Sequence, residues 1–384
     1  MIRRNLLIAW SLAVASPAAF AGLTTQDLNT LTPGDLATIL AGTGVVVSNV
    51  THTGAPVSAG TFAGGANSAG GTAGIGIASG VILSSGNIAN VVGPNTLSGV
   101  STPLGLPGDP DLTVLAGRQT FDATVLEFDF IPNADQVFFQ YIFASDEYNE
   151  FVNSNFNDVF AFFVNGVNCA MVGNPAVPVS VNTINNGPFG SGGPNALLYK
   201  NNDLASGAKI NTEMDGLTVV LPCQAAVTPN VINHMKLAIA DAQDSVLDSN
   251  ALVKGGSITT LPPVEAALAK TQFRCKVTNC TPSITCNFAG PLGSSCKNRI
   301  RLLVRRNVLR SGAETQATTA RTLFAAGLTN IPPGRTRNVR LKLTNRAKRF
   351  VKTTTQRTIR AVMEIRNVAG TAVLRIPGVR IRLG

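Results

Sequence analysis

Hydrophobic positions in this chain recur mostly with period two. Two runs show it best, VFFQYIFA at 137–144 and DVFAFFVNG at 158–166. Alternate residues of an extended chain share a face, so Val137, Phe139, Tyr141 and Phe143 line one side of a strand. Short runs of this kind, separated by Gly, Pro and Asn, fill most of the sequence, as antiparallel sandwiches require. Helical spacing is scarce. Residues 26–41 admit one short helix, with Thr32 as its cap and Pro33 in its first position. The glycine-rich stretch 53–80 runs into strand-like Val81–Leu83 and reads as an approach to a strand, not as disorder. A Pro-Pro pair marks an interdomain linker at 259–269. Beyond it FRCKVT, SITCNF, RIRLLVR, RTLFAAGL, NVRLKLT, IRAVMEIR and VRIRL supply strands for a second sandwich.

The N-terminus changes this picture by adding a compartment. Arg3 and Arg4 precede an apolar core from Leu6 to Val14, and Ala19-Phe20-Ala21 forms a small-x-small cleavage site before Gly22. This predicts a secretory signal peptide over 1–21 and an extracellular protein. No cysteine follows the cleavage site, which argues against a lipoprotein, and no later apolar run reaches the roughly 18 residues of a membrane helix.

Oxygen-bearing side chains cluster between the two best strands. YIFASDEYNEFVNSNFNDVFAFFVNG places Asp146, Glu147, Asn149, Glu150, Asn153, Asn155, Asn157 and Asp158 within a few residues. KLAIADAQDSVLDSN repeats the theme with Asp241, Asp244 and Asp248. Calcium takes about 6–8 oxygens in loose geometry, so Asp146, Glu147, Asp158, Asp241 and Asp244 form the candidate metal set. The alternative is that these acids sit apart on solvated turns, whose geometry Asn and Asp favour; no EF-hand spacing is present.

The same segments, with PVSVNTIN between them, resemble the choice-of-anchor L domain of bacterial surface proteins over roughly residues 22–258. The resemblance implies a bacterial extracellular module joined to varied C-terminal anchoring devices and carries no established activity. The fold class expected is all-β: a jelly-roll or lectin-like sandwich over 22–258 and a sandwich over 270–384. The second resembles the Arg-rich immunoglobulin-like domains that end many exported bacterial proteins. No LPXTG motif and no C-terminal apolar helix follow the first domain.

Catalysis has little to work with. Glu127 and Asp129 have the acid-x-acid spacing of some β-sandwich glycosidases, but Phe130, Ile131, Pro132 and Asn133 follow where a third acid belongs. Glu147 and Glu150 offer another pair, and glycoside hydrolysis needs two carboxylates across a cleft. His52 and His234 stand in ordinary contexts, His234 as a partly exposed strand-edge residue, and neither G-x-S-x-G nor H-E-x-x-H occurs. A calcium-dependent lectin is the better alternative. Sugar platforms use aromatic faces, which makes Tyr148, with Glu150 and Asn153 beside it, the candidate ligand contact. A Tyr148 packed over its own loop is the competing reading.

Six cysteines in an exported chain favour disulfides. Cys169 and Cys223 fall in the first half and predict one bridge. Cys275, Cys280, Cys286 and Cys296 cluster in the second and predict two, with three pairings open. A four-cysteine zinc site fits less well, since the gaps of four, five and nine residues do not give the paired short spacings usual for zinc.

Charge divides the chain. Residues 22–260 hold 18 acidic and 5 basic side chains, net −13, whereas 261–384 hold 3 acidic and 24 basic, net +21. Basic residues in the second half alternate with apolar ones: Arg299 and Arg301, Arg340 and Lys342, Arg380 and Arg382. Each such strand has an apolar face and a cationic one. The partner expected is an anionic envelope polymer or polysaccharide, ahead of the acidic half of this or another copy. Nucleic acid is not expected, because the second half has no Tyr or Trp for base stacking.

Overall fold

The computed structural model describes residues 22–67, 71–173, 175–260, 266–268, 270, 272–286, 296–305, 321–331, 335–367 and 373–383. The predicted signal segment 1–21, and 261–265 and 269 of the predicted linker, lie outside the described residues.

The first half begins with β1 (Thr24–Asp27), α1 (Pro33–Leu40), β2 (Val45–Thr53), β3 (Ala59–Ala63) and β4 (Gly80–Ser84). Next come α2 (Pro110–Ala116), β5 (Thr120–Pro132), β6 (Gln136–Ser145), β7 (Val159–Val164) and β8 (Val167–Asn168). It continues with β9 (Met171–Val172), β10 (Val177–Pro178), β11 (Tyr199–Asn201) and β12 (Gly216–Thr218). It ends with β13 (Leu221–Ala226), β14 (Asn233–Ala242) and β15 (Ser249–Lys254). Helix α1 starts where the sequence places it. Thr32 Oγ1 accepts from the Asp35 amide and the Asp35 carboxylate accepts from the Thr32 amide, a reciprocal capping box.

Two sheets organise this half. One runs β1-β3-β4-β15-β6-β12-β11 with β13 also on β6, and the other runs β2-β5-β14-β7-β8. They share one apolar core. Val137, Phe139, Tyr141 and Phe143 of β6 meet Phe128 of β5, Phe160 and Phe162 of β7 and Leu237 of β14. The opposite face of β6 is buried too. Ile142 and Ala144 enter a second cluster with Phe62, Ile75, Ile77 and Val91 from the glycine-rich region and its flank. That region therefore roofs the outer face of the larger sheet, and part of it is strand β3. Cys169 and Cys223 are bridged, tying the end of β8 in one sheet to β13 in the other.

The second half carries β16 (Ala266–Leu268), β17 (Gln272–Cys275), β18 (Asn279–Cys280), β19 (Ser283–Cys286) and β20 (Cys296–Arg305). There follow β21 (Arg321–Ile331), β22 (Thr336–Asn338), β23 (Leu341–Leu343), α3 (Asn345–Thr353), β24 (Thr358–Asn367) and β25 (Val373–Leu383). The sequence pattern predicts a sandwich here; the structure closes a barrel, β17-β18-β23-β21-β20-β24-β25. Closure comes from β17 lying parallel to β25, with Gln272 opposite Arg380 and Arg274 opposite Arg382. A separate small sheet, β16-β19-β22, includes part of the predicted linker as a strand. Disulfides Cys275–Cys280 and Cys286–Cys296 resolve the three pairings. The barrel interior holds Ile300, Leu302, Phe324, Leu341, Ile365 and Ile381. Among the described residues no helix is long and apolar enough to cross a membrane.

Candidate functional site

Nine of the eighteen carboxylates in the first half are buried: Asp109, Asp122, Asp146, Glu147, Asp158, Glu213, Asp215, Asp241 and Asp248. Four of them have one task in common. The segment 96–106 belongs to no sheet, and several of its amides point into carboxylates. Glu213 accepts from the Thr96 and Leu97 amides at 3.0 and 2.8 Å. Asp146 accepts from Val100 at 2.9 Å and Asp248 from Thr102 at 2.8 Å. Asp122 accepts from Leu104 at 2.8 Å and from Leu106 at 2.6 Å. Residues 100, 102, 104 and 106 have the period-two spacing of one strand edge. Side-chain oxygens thus replace a missing ladder, as buried amides demand a partner. Asp122 reaches the segment from a left-handed backbone position, φ +48°. It lies in β5 opposite the irregularity between Ile239 and Asp241 of β14.

This accounting changes the predicted metal set. Asp146 has one oxygen on Val100 and the other on the Asp215 amide at 2.9 Å. Asp158 accepts from the Ala242 amide at 2.9 Å and the Ser249 hydroxyl at 2.7 Å. Asp244, half-buried, caps its own turn by accepting from the Val246 amide. Glu147 and Asp241 differ: Glu147 Oε2 and Asp241 Oδ1 are buried without a hydrogen-bond partner. Among the described residues no group of three or more His, Cys, Asp and Glu side chains is placed to hold one metal ion. The five acids are therefore not a single coordination shell.

Burial sets the electrostatics. It pushes Asp146 up to about 8, with nearby Asp215 and Asp248 adding to the rise against the two amide hydrogen bonds. Burial likewise raises Asp158 to about 7 and Asp215 to about 6. Glu147 rises to about 10, by burial and then by Asp158, Asp244 and Asp146. Asp241 is raised by burial and by Asp158, to which it is hydrogen-bonded. Charge removed from water without a countercharge favours the protonated form.

Tyr148 is core, and its expected ligand contact falls away. Its ring is fully buried, its hydroxyl donates to Ile184 O at 2.7 Å, and Tyr199 packs 4.8 Å away. Gly216 lies against this ring: a Cβ there would meet Tyr148 Cγ at 2.6 Å, so only glycine fits beneath it. Glu150 and Asn153 remain exposed. Beside them a polar network that the sequence reading missed joins Asn149, Tyr199, Asn201 and Asp203. Its members lie about fifty residues apart in sequence, and only the β11–β12 hairpin brings them to the loop.

The acid-x-acid pair is also accounted for. His234 on β14 lies between the two acids of β5, Nδ1 3.0 Å from Asp129 and Nε2 3.4 Å from Glu127. The hydrogen bond to Asp129 leads in raising the imidazole, against the effect of burial. Next to it Lys236 is 2.7 Å from both Asp109 and Asp111. These carboxylates face cations on one sheet, not each other across a cleft. Of the predicted basic surface, Arg299, Arg340, Lys342, Arg380 and Arg382 are exposed, while Arg301 is half-buried and 3.7 Å from Glu364.

Two outcomes follow from the buried acids. Asp122→Ala strands the Leu104 and Leu106 amides and is expected to cost about 1–3 kcal/mol. Urea unfolding reads that loss, and hydrogen exchange at those two amides should quicken. Asp146, Asp158 and Asp215 bind protons more tightly folded than unfolded. Their contribution is complete below about pH 4 and is lost as pH rises through about 6 to 8. The lowered acids, Asp35, Asp129 and Asp203, titrate below that window. In chelated buffer the melting midpoint should therefore fall between about pH 5 and about pH 8.5; a flat or rising profile contradicts this assignment.

The geometry can now be set beside known proteins. No curated protein matches the sequence. Among solved structures, the adhesin domain of Epf from Streptococcus pyogenes aligns at TM-score 0.21 and 9% identity, covering 68% of this chain and 77% of that one. Bacteroides uniformis β-glucuronidase aligns at 0.21 and 9%, covering 67% and 26%. A Kluyveromyces marxianus β-glucosidase with bound glucose aligns at 0.16 and 6%, covering 71% and 45%. Likeness this slight carries no argument about activity. The sequence match is of another kind: residues 24–259, the whole first half and more than half of the chain, match the Choice-of-anchor L domain, and the chain belongs to that family.

Proposed function

We propose that this is an exported, non-catalytic module of the bacterial cell surface or its matrix. The first half, read as a two-layer jelly-roll-like sandwich, is the adhesion or binding unit, and the basic half holds the protein to anionic envelope polymers. The observation that carries the reading is the family match over 24–259 joined to a cationic barrel. The acids that pattern resembles in glycosidases are engaged by His234, which supports a binding role over hydrolysis.

Retention by charge is sensitive to salt, because exposed charges are screened within about 10 Å at 0.1 M ionic strength. The mature full-length protein should sediment with bacterial envelope fragments in dilute buffer and be released at high salt. Failure to sediment at low salt, or retention indifferent to salt, removes this reading.

A calcium-stabilised state is favoured by the two orphan oxygens Glu147 Oε2 and Asp241 Oδ1 near Asp158. A cation at Glu147 Oε2, its shell completed by backbone and water oxygens, would supply countercharge that the buried acids lack. Ligand linkage gives about 2.7 kcal/mol at a hundred times the dissociation constant. Millimolar calcium should then raise the melting midpoint by several degrees, and Glu147→Gln should abolish the rise. No calcium-specific shift rules the ion out.

A further inference from the structure

The second half contains three acidic residues, and Glu364 is the one among its described residues. It is surrounded: Arg375 Nε lies 3.0 Å from it, Arg366 Nη2 3.2 Å and Arg301 Nη1 3.7 Å. That cluster has its countercharge. Elsewhere on the barrel the register brings further basic side chains together. Arg360 on β24 lies opposite Arg380 on β25, and Arg382, two residues further along β25, lies opposite Arg274 on β17. Lys276 continues β17, bonding through its amide to Asn279 O, and Asn279 lies opposite Lys342 on β23. All six basic side chains are exposed. The intervening Phe273, Cys275, Leu341, Ile359 and Ile381 point into the core.

These residues form a belt crossing β24, β25, β17, β18 and β23. Neighbouring strands lie about 4.8 Å apart, so the belt runs roughly 20 Å, with successive charges about 5–7 Å apart except for about 10 Å from Lys276 to Lys342 across β18. Such spacing matches a chain that carries one negative charge per unit. It does not match a compact ligand, which two guanidinium groups would satisfy. The basic half has no Tyr or Trp, and Phe273, Phe324 and Phe350 are buried. Among the described residues a base-stacking platform is therefore lacking. Stacking of neutral sugars is lacking for the same reason, which leaves charge as the means of recognition.

We propose that the belt Arg360–Arg380–Arg382–Arg274–Lys276–Lys342 is a docking track for one linear, carboxylate-bearing polysaccharide chain. This rests on the retention reading above and locates it. The exposed acids of a second copy are a poorer occupant, because half the carboxylates behind the net −13 are buried.

The test uses mature full-length protein and immobilised polygalacturonate at low salt, with dextran as the neutral control. Two triple variants remove equal charge: R274S/R380S/R382S within the belt, and R305S/R335S/R337S, exposed residues outside it. The belt triple should bind at least about tenfold more weakly and the other less than about threefold, because neighbouring charges act together on one chain. Should the belt triple melt early, R274S and R380S singly carry the same comparison. Equal losses in both triples overturn the belt while leaving charge-based retention standing. Binding of single-stranded DNA as tight as that of polygalacturonate also overturns it. A wild-type protein that ignores both polygalacturonate and envelope fragments ends the retention reading as well.

Discussion

The first half depends on hydrogen bonds between buried carboxylates and backbone amides. Segment 96–106 belongs to no sheet, yet amides along it are partnered by Glu213, Asp146, Asp248 and Asp122. An amide left unpartnered in such a place would cost on the order of 1–3 kcal/mol. Each acid also belongs to a different part of the chain: β5, the loop after β6, the approach to β12 and the approach to β15. The segment is thus a hub that fixes three distant loops and strand β5 relative to one another. Buried charge accompanies this arrangement, and Glu147 and Asp241, each with an orphan oxygen, sit in the same crowded region.

This division of labour explains what could be read from sequence. Strands were legible because alternation is local: 137–144 and 158–166 became β6 and β7 with their aromatic faces inward as the period predicts. Thr32 and Pro33 announced α1 for the same reason. The acidic loops were legible as a cluster but not as a device. Asp248 meets Thr102 from 146 residues away and Glu213 meets Leu97 from 116, and no spacing rule spans such distances. Tyr148 misled because its place in a polar loop outweighed its size; the glycine at 216 that makes room for the ring is remote. The barrel was misread for a related reason. Alternating strands fit a sandwich or a barrel equally, and the parallel pairing of β17 with β25 decides between them, while SITCNF leaves the barrel as β19 of the small sheet.

Net charge and surface charge part company here. The formal −13 of the first half counts many carboxylates that never face solvent, whereas the basic residues of the barrel lie mostly outside. The two halves are not electrostatic mirror images. The first uses acids as internal fasteners, and the second displays bases around an apolar interior held by two disulfides.

The parallel seam of the barrel has a mechanical consequence. β17 opens the barrel and β25 closes it, side by side and running the same way over the four registered pairs from Gln272–Arg380 to Cys275–Leu383. Tension applied between the start of β17 and the end of β25 acts along both strands in opposite senses. It loads the pairs of that seam together in shear, where a hairpin arrangement would let them open one after another like a zip. A domain closed in this way resists stretching along its chain.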